Sequence, residues 1–74
     1  MITYKVIKEN LQHCELGRYI AYGICVYSEE ARMILKSISD VFIERDKIEK
    51  LVALCNENKL DPIHLSEVVQ DAIV

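Results

Sequence analysis

Tryptophan is absent from this 74-residue sequence, proline occurs once, at Pro62, and glycine only twice, at Gly17 and Gly23. With so few glycines there is no glycine-rich loop to cradle a phosphate. Charge of one sign is also lacking: 12 acidic and 9 basic residues leave a net charge of −3, spread along the chain. No large basic field exists to steer a polyanion, so nucleic acid is not expected as a partner. The longest apolar run, Tyr19 to Val26 continuing into Tyr27, is far shorter than the ~20 residues of a membrane-spanning helix. No membrane partner is expected. Met1-Ile2-Thr3-Tyr4-Lys5 lacks a charged leader ahead of an apolar segment, which reads as an unprocessed cytoplasmic protein. The three cysteines, Cys14, Cys25 and Cys55, are odd in number and unpatterned in spacing, which argues for reduced thiols and against a disulfide framework.

What is present suits one small folded unit over residues 1–74. Apolar residues make up 51% of the chain, too many for disorder and enough for a core with surplus for a partner surface. Ile2, Tyr4 and Val6 alternate with Thr3 and Lys5, a period-two pattern predicting a strand with one covered face. The polar stretch Glu9 to Gly17 is expected to be a long hairpin connection. Arg18 to Tyr27 is apolar on both parities and reads as the central strand, with Gly23 marking a bulge or a close approach to the backbone. Met33 to Ser39 is expected to return as a third strand, although Glu29 to Lys36 also suits a short helix.

Helical spacing then takes over. Ile48, Leu51, Val52 and Cys55 form one apolar stripe in a helix over Glu44 to Asn58, with Glu49, Lys50, Asn56 and Glu57 expected to face water. Its start is open between residue 44 and a capping box of Asp46 with Glu49. Asn58 or Lys59 ends it in a left-handed conformation. Asp61 is placed to cap a second helix with Pro62 in its first turn and Leu60 and Leu65 at the staple positions. Its apolar side is Leu65, Val68, Val69, Ala72 and Ile73. The expected fold is α+β: a three-stranded antiparallel β-meander followed by two α-helices packed on one face of the sheet. The helix-facing core is predicted to join Leu51, Val52, Cys55, Leu65, Val68 and Val69 with Ile20, Tyr22 and Ile24.

Several of these residues also carry a resemblance. Gly17-Arg18-Tyr19 with Tyr22-Gly23-Ile24, Asp40, Glu49-Lys50-Leu51-Val52, Leu54-Cys55-Asn56, and above all Pro62-Ile63-His64-Leu65 with Val68-Val69 and Asp71 resemble a family of small uncharacterised proteins from anaerobic Gram-positive bacteria. The resemblance covers most of the chain and implies this layout and an intracellular setting, with no assigned activity and no catalytic residue. Members often carry Ser or Thr before the first helix, where this chain has Phe42-Ile43, so a side-chain cap is not implied there.

Candidate chemistry is sparse. His64, in the first turn of the second helix, is the ligand-binding candidate, since amides at a helix start attract anions; His13 is its possible companion. The competing role for His64 is a local cap, and Asp61 beside it would repel an anion. Zinc needs converging Cys, His or carboxylate ligands, and the adjacent pair His13-Cys14 is poorly placed to chelate, so neither metal nor cofactor is expected. Cys55 and Cys25 read as core residues. Cys14 reads as exposed but not activated. No serine sits in a nucleophile-presenting turn, and no catalytic residue is assigned. The second helix has no Lys or Arg, which disqualifies it as a DNA-recognition helix. Tyr19, Cys25 and Tyr27 share the parity that faces away from the helices and form the candidate interaction surface, or else pack across strands. The reading that results is a non-enzymatic interaction or regulatory module, a homodimer through the sheet's outer face or an edge strand, with small-ligand or anion binding at the second helix as the alternative.

Overall fold

Three strands come first in the chain and two helices last. The computed structural model describes residues 1–73. β1 (Ile2–His13), β2 (Gly17–Ser28) and β3 (Met33–Phe42) form an antiparallel sheet in the order β1-β2-β3, followed by α1 (Arg45–Glu57), a single 3-10 turn (Pro62–His64) and α2 (Leu65–Ile73). The α+β class and the meander are as the hydrophobic periods predict.

The register of β1 on β2 is unbroken from Ile2 opposite Ser28 to His13 opposite Gly17. Even-numbered residues of both strands therefore share one face. Tyr4, Ile24 and Val26 form the buried part of that face, and Ile48, Leu51, Val52, Cys55, Leu65 and Val69 descend onto it from the helices. α1 crosses all three strands, whereas α2 packs against β3. Helices are short for their residue count: 13 residues of α1 span roughly 20 Å at 1.5 Å per residue. A strand of 12 residues such as β1 spans roughly 40 Å at 3.3 Å per residue. The helix layer therefore covers about half of the ribbon, and the far half overhangs it.

That overhang corrects two expectations. The polar stretch after Glu9 is not a long connection, since β1 continues to His13 and the turn is only Cys14 to Leu16. Those residues are polar because both faces of the ribbon meet water there. Gly17 closes the turn with φ +74°, a conformation that favours glycine. Ile20 has core parity but is 45% exposed, because no helix reaches it.

β3 is less regular. Its register shifts twice against β2, between Tyr22 and Ile24 and between Val26 and Tyr27, and Asp40 in the first irregularity has φ +54°. The bulge expected at Gly23 is therefore there, with the surplus residues on β3. The carbonyl of Ile38 approaches so closely that any Cβ at Gly23 would collide with it. β3 also runs three residues beyond the expected Ser39.

Glu44 stands at the N-cap position of α1 and makes no side-chain cap. It ends in a Schellman arrangement: Leu60 N–H donates to the Cys55 carbonyl and Lys59 N–H to that of Asn56, with Lys59 at φ +49°. Asp61 caps the 3-10 turn that leads into α2 rather than α2 itself, its carboxylate accepting from Ile63 N–H at 3.1 Å.

Leu65 is fully buried and Val68 only partly. Leu65→Ala is expected to cost about 2–5 kcal/mol in a denaturant titration, and Val68→Ala distinctly less. Equal losses in the two would contradict this placement of α2.

Candidate functional site

The sheet offers the molecule's most specific polar contacts, and they begin at an edge. β1 is an outer strand, so every second residue turns its backbone N–H and C=O away from β2. At Tyr4 these two groups are taken by one side chain: Tyr4 N–H donates to Asn56 Oδ1 at 2.8 Å, and Asn56 Nδ2 donates to the Tyr4 carbonyl at 3.0 Å. The primary amide of Asn56 thus stands in for the peptide of a neighbouring strand. The Tyr4 hydroxyl donates to the Leu60 carbonyl at 2.6 Å, beyond the end of α1. Burial raises the pKa of this phenol, with Cys55 and Asp61 adding to the effect. Asn56 was expected to face water, and although it remains accessible, its amide is committed to β1. It follows Cys55 on the stripe, one step beyond the i+7 position, which is the signal that marks it as inward-turned.

On the opposite sheet face a second polar cluster has formed. Tyr19 Oη donates to Asp40 Oδ2 at 3.1 Å, and Asp40 N–H donates to Glu9 Oε2 at 3.3 Å. The hydrogen bond to Asp40 raises the Tyr19 pKa. The β3 irregularity thereby reaches across β2 to β1. Ala21, the cross-strand partner of Glu9, is fully buried. Lys5 Nζ lies 5.0 Å from the centroid of the Tyr27 ring, a cation–π distance.

The residues singled out from the sequence are thus scattered. Tyr19, Cys25 and Tyr27 do share the outer face, but Cys25 is only 6% exposed and offers little to a partner, since Lys5 and Ser37 flank it in register. Tyr19 and Tyr27 are half-buried and already engaged. His13 closes the hairpin: its Nδ1 accepts from the amides of Glu15 at 3.1 Å and Leu16 at 3.4 Å. His64 is exposed, with Nδ1 3.8 Å from Glu67. The two histidines do not converge. Tyr4 ties the start of β1 to Leu60, near His64, while His13 lies nine residues along the strand, roughly 30 Å away at 3.3 Å per residue. The amides that an anion would need at His64 are in use, since Ile63 N–H goes to Asp61 Oδ1 and His64 N–H to the Asp61 carbonyl.

Among the described residues no three His, Cys, Asp or Glu side chains gather as metal ligands. No described helix is long and apolar enough to cross a membrane.

A family model matches the chain over residues 1–74. The chain belongs to the DUF6514 family, a family of unknown function. No curated protein and no solved structure matches it. Full-length coverage agrees with the resemblance drawn from the Pro62-Ile63-His64-Leu65 region and brings no activity with it.

Two measurements test this layout. Asn56→Ala leaves both backbone groups of Tyr4 without their partner and is expected to lower stability by about 1–3 kcal/mol; an unmoved denaturation midpoint would show that the contact contributes nothing to the fold. Cys14 is exposed while Cys25 and Cys55 are buried, and burial raises the Cys55 pKa. One thiol, Cys14, is therefore expected to react promptly with a disulfide reagent in the native protein. The other two should wait for unfolding, and prompt reaction of all three would refute the packing around β2 and α1.

Proposed function

We propose that this chain is a non-enzymatic interaction module that self-associates, and that the overhanging half of the β1–β2 ribbon is its contact element. The observation that carries the reading is the overhang itself. From Glu9 to His13 and back from Gly17 to Ala21 the two strands pair with each other, beyond the helices and beyond Tyr22, where Phe42 ends the pairing of β3. A two-stranded ribbon alone is marginal in water. This one displays Leu16 at 72% and Ile20 at 45% exposure, with Leu11 half-buried, which suits a segment completed by another surface.

The competing readings draw less support. Binding of an anion at His64 would have to displace Asp61 from the amides it holds. Catalysis by a thiol would fall to Cys14, whose neighbour His13 has its Nδ1 engaged with the amides of Glu15 and Leu16. Unpaired thiols fit a cytoplasmic protein, the setting that the resemblance to proteins of anaerobic Gram-positive bacteria also implies.

Sedimentation over a range of concentrations tests the proposal. The full chain is expected to form a reversible dimer. A shortened chain, with residues 10–20 removed and Glu9 joined to Ala21 through an Asn-Gly turn, should keep its helical circular dichroism and remain monomeric. A full chain that stays monomeric at high micromolar concentration would overturn the reading.

A further inference from the structure

The two edges of the sheet differ in how they are defended, and the difference locates one open stretch. β3 is interrupted by two register irregularities and carries Lys36 between them; bulges and lysines are common devices against edge-to-edge pairing. At the start of β1 the edge is closed by Asn56 at Tyr4. Beyond that clamp β1 runs to His13 without a register shift, a proline or a glycine. By the alternation of an antiparallel ladder, the N–H and C=O of Lys8, Asn10 and Gln12 point outward as those of Tyr4 do.

The geometry points to this open edge as a dimer interface, in which β1 of one protomer pairs antiparallel with β1 of a second copy about a two-fold axis at Asn10. The inference rests on the self-association proposed above and specifies its geometry. Charge and length together select the axis, since an axis at Ile7 or Leu11 leaves a shorter ladder between the clamp and the hairpin turn. An axis at Lys8 or at Glu9 sets two like charges directly opposite one another, which destabilises a ladder. At Asn10, Lys8 faces Gln12 of the other copy, Glu9 faces Leu11 and Ile7 faces His13, with no like pair opposed. The paired segment is then Ile7 to His13, which fits between the Asn56 clamp at one end and the hairpin turn at the other. Closure follows as well. With β3 interrupted and the start of β1 occupied, an isologous pair leaves no equivalent edge on which a third copy can add. A ladder of this length lies at the small end of interface sizes, so the dimer is expected to be reversible.

The test combines sedimentation of the full chain with amide hydrogen exchange. Gln12→Lys places a second positive charge opposite Lys8 of the other copy and should weaken the dimer by roughly three- to tenfold. Adding Lys8→Glu should restore it. Both positions are exposed, so neither change disturbs the core. In the unmodified protein, the amides of Lys8, Asn10 and Gln12 should gain protection as concentration raises the dimer fraction. A dimer in which those amides exchange at the monomer rate, or which ignores both charge changes, would overturn the edge geometry while leaving self-association standing. A chain that never dimerises would overturn both.

Discussion

The pairing of Asn56 with the backbone of Tyr4 is the contact on which the rest of the arrangement depends. It satisfies one donor and one acceptor on an outer strand with the two ends of a single amide. Together with the Tyr4 hydroxyl on Leu60, it sets where the end of α1 meets the sheet and so where the turn into α2 lies. The apolar core alone would leave that freer, because hydrophobic contact is not directional. Two hydrogen bonds at a fixed spacing are directional, and at Tyr4 they also remove the groups that would let another chain pair there.

The outer face follows a different logic. Among the described residues no second layer covers it, yet Ala21 and Cys25 are buried. Small side chains on the central strand are screened by longer ones beside them, through Glu9, Asp40 and Tyr19 over one part and Lys5 with Tyr27 over another. The irregularity in β3 contributes directly. By taking Asp40 into a left-handed conformation, it carries that residue over β2 to meet Glu9. Apolar surface that looked open from parity alone is thereby partly closed within the chain, and the ribbon beyond it is what remains bare.

The elements were legible from the sequence because each rests on a local rule: alternation for β1, the spacing of Ile48, Leu51, Val52 and Cys55 for α1, and Asp61-Pro62 for the break between helices. Extent was harder to read. Ile20 carries core parity, and nothing within β2 says that the helices stop short of it; that comes from comparing helix rise with strand rise once both lengths are known. The polar residues from Glu9 to His13 suggested a loop because strand patterns are recognised by a covered face, and this part of the strand has none. Of the candidate site residues, His13 holds local backbone amides, a role foreseen for His64 alone, whereas His64 is exposed beside Glu67. Asn56 was misjudged because a polar residue at the margin of an apolar stripe satisfies either reading until the facing strand is placed.

The order of the elements along the chain has a kinetic side. β1 and β2 are joined by three residues, so their ladder extends from the turn by closing one small loop after another, each at little entropic cost. The clamp joins positions 52 residues apart, and the Tyr4 hydroxyl reaches 56 residues along the chain. Those closures become favourable only after the intervening sheet and helix have shortened the path between them. The ribbon thus has a route to form early and be held late: its tip is ordered by neighbours in sequence, while its base waits for the far end of the chain to return.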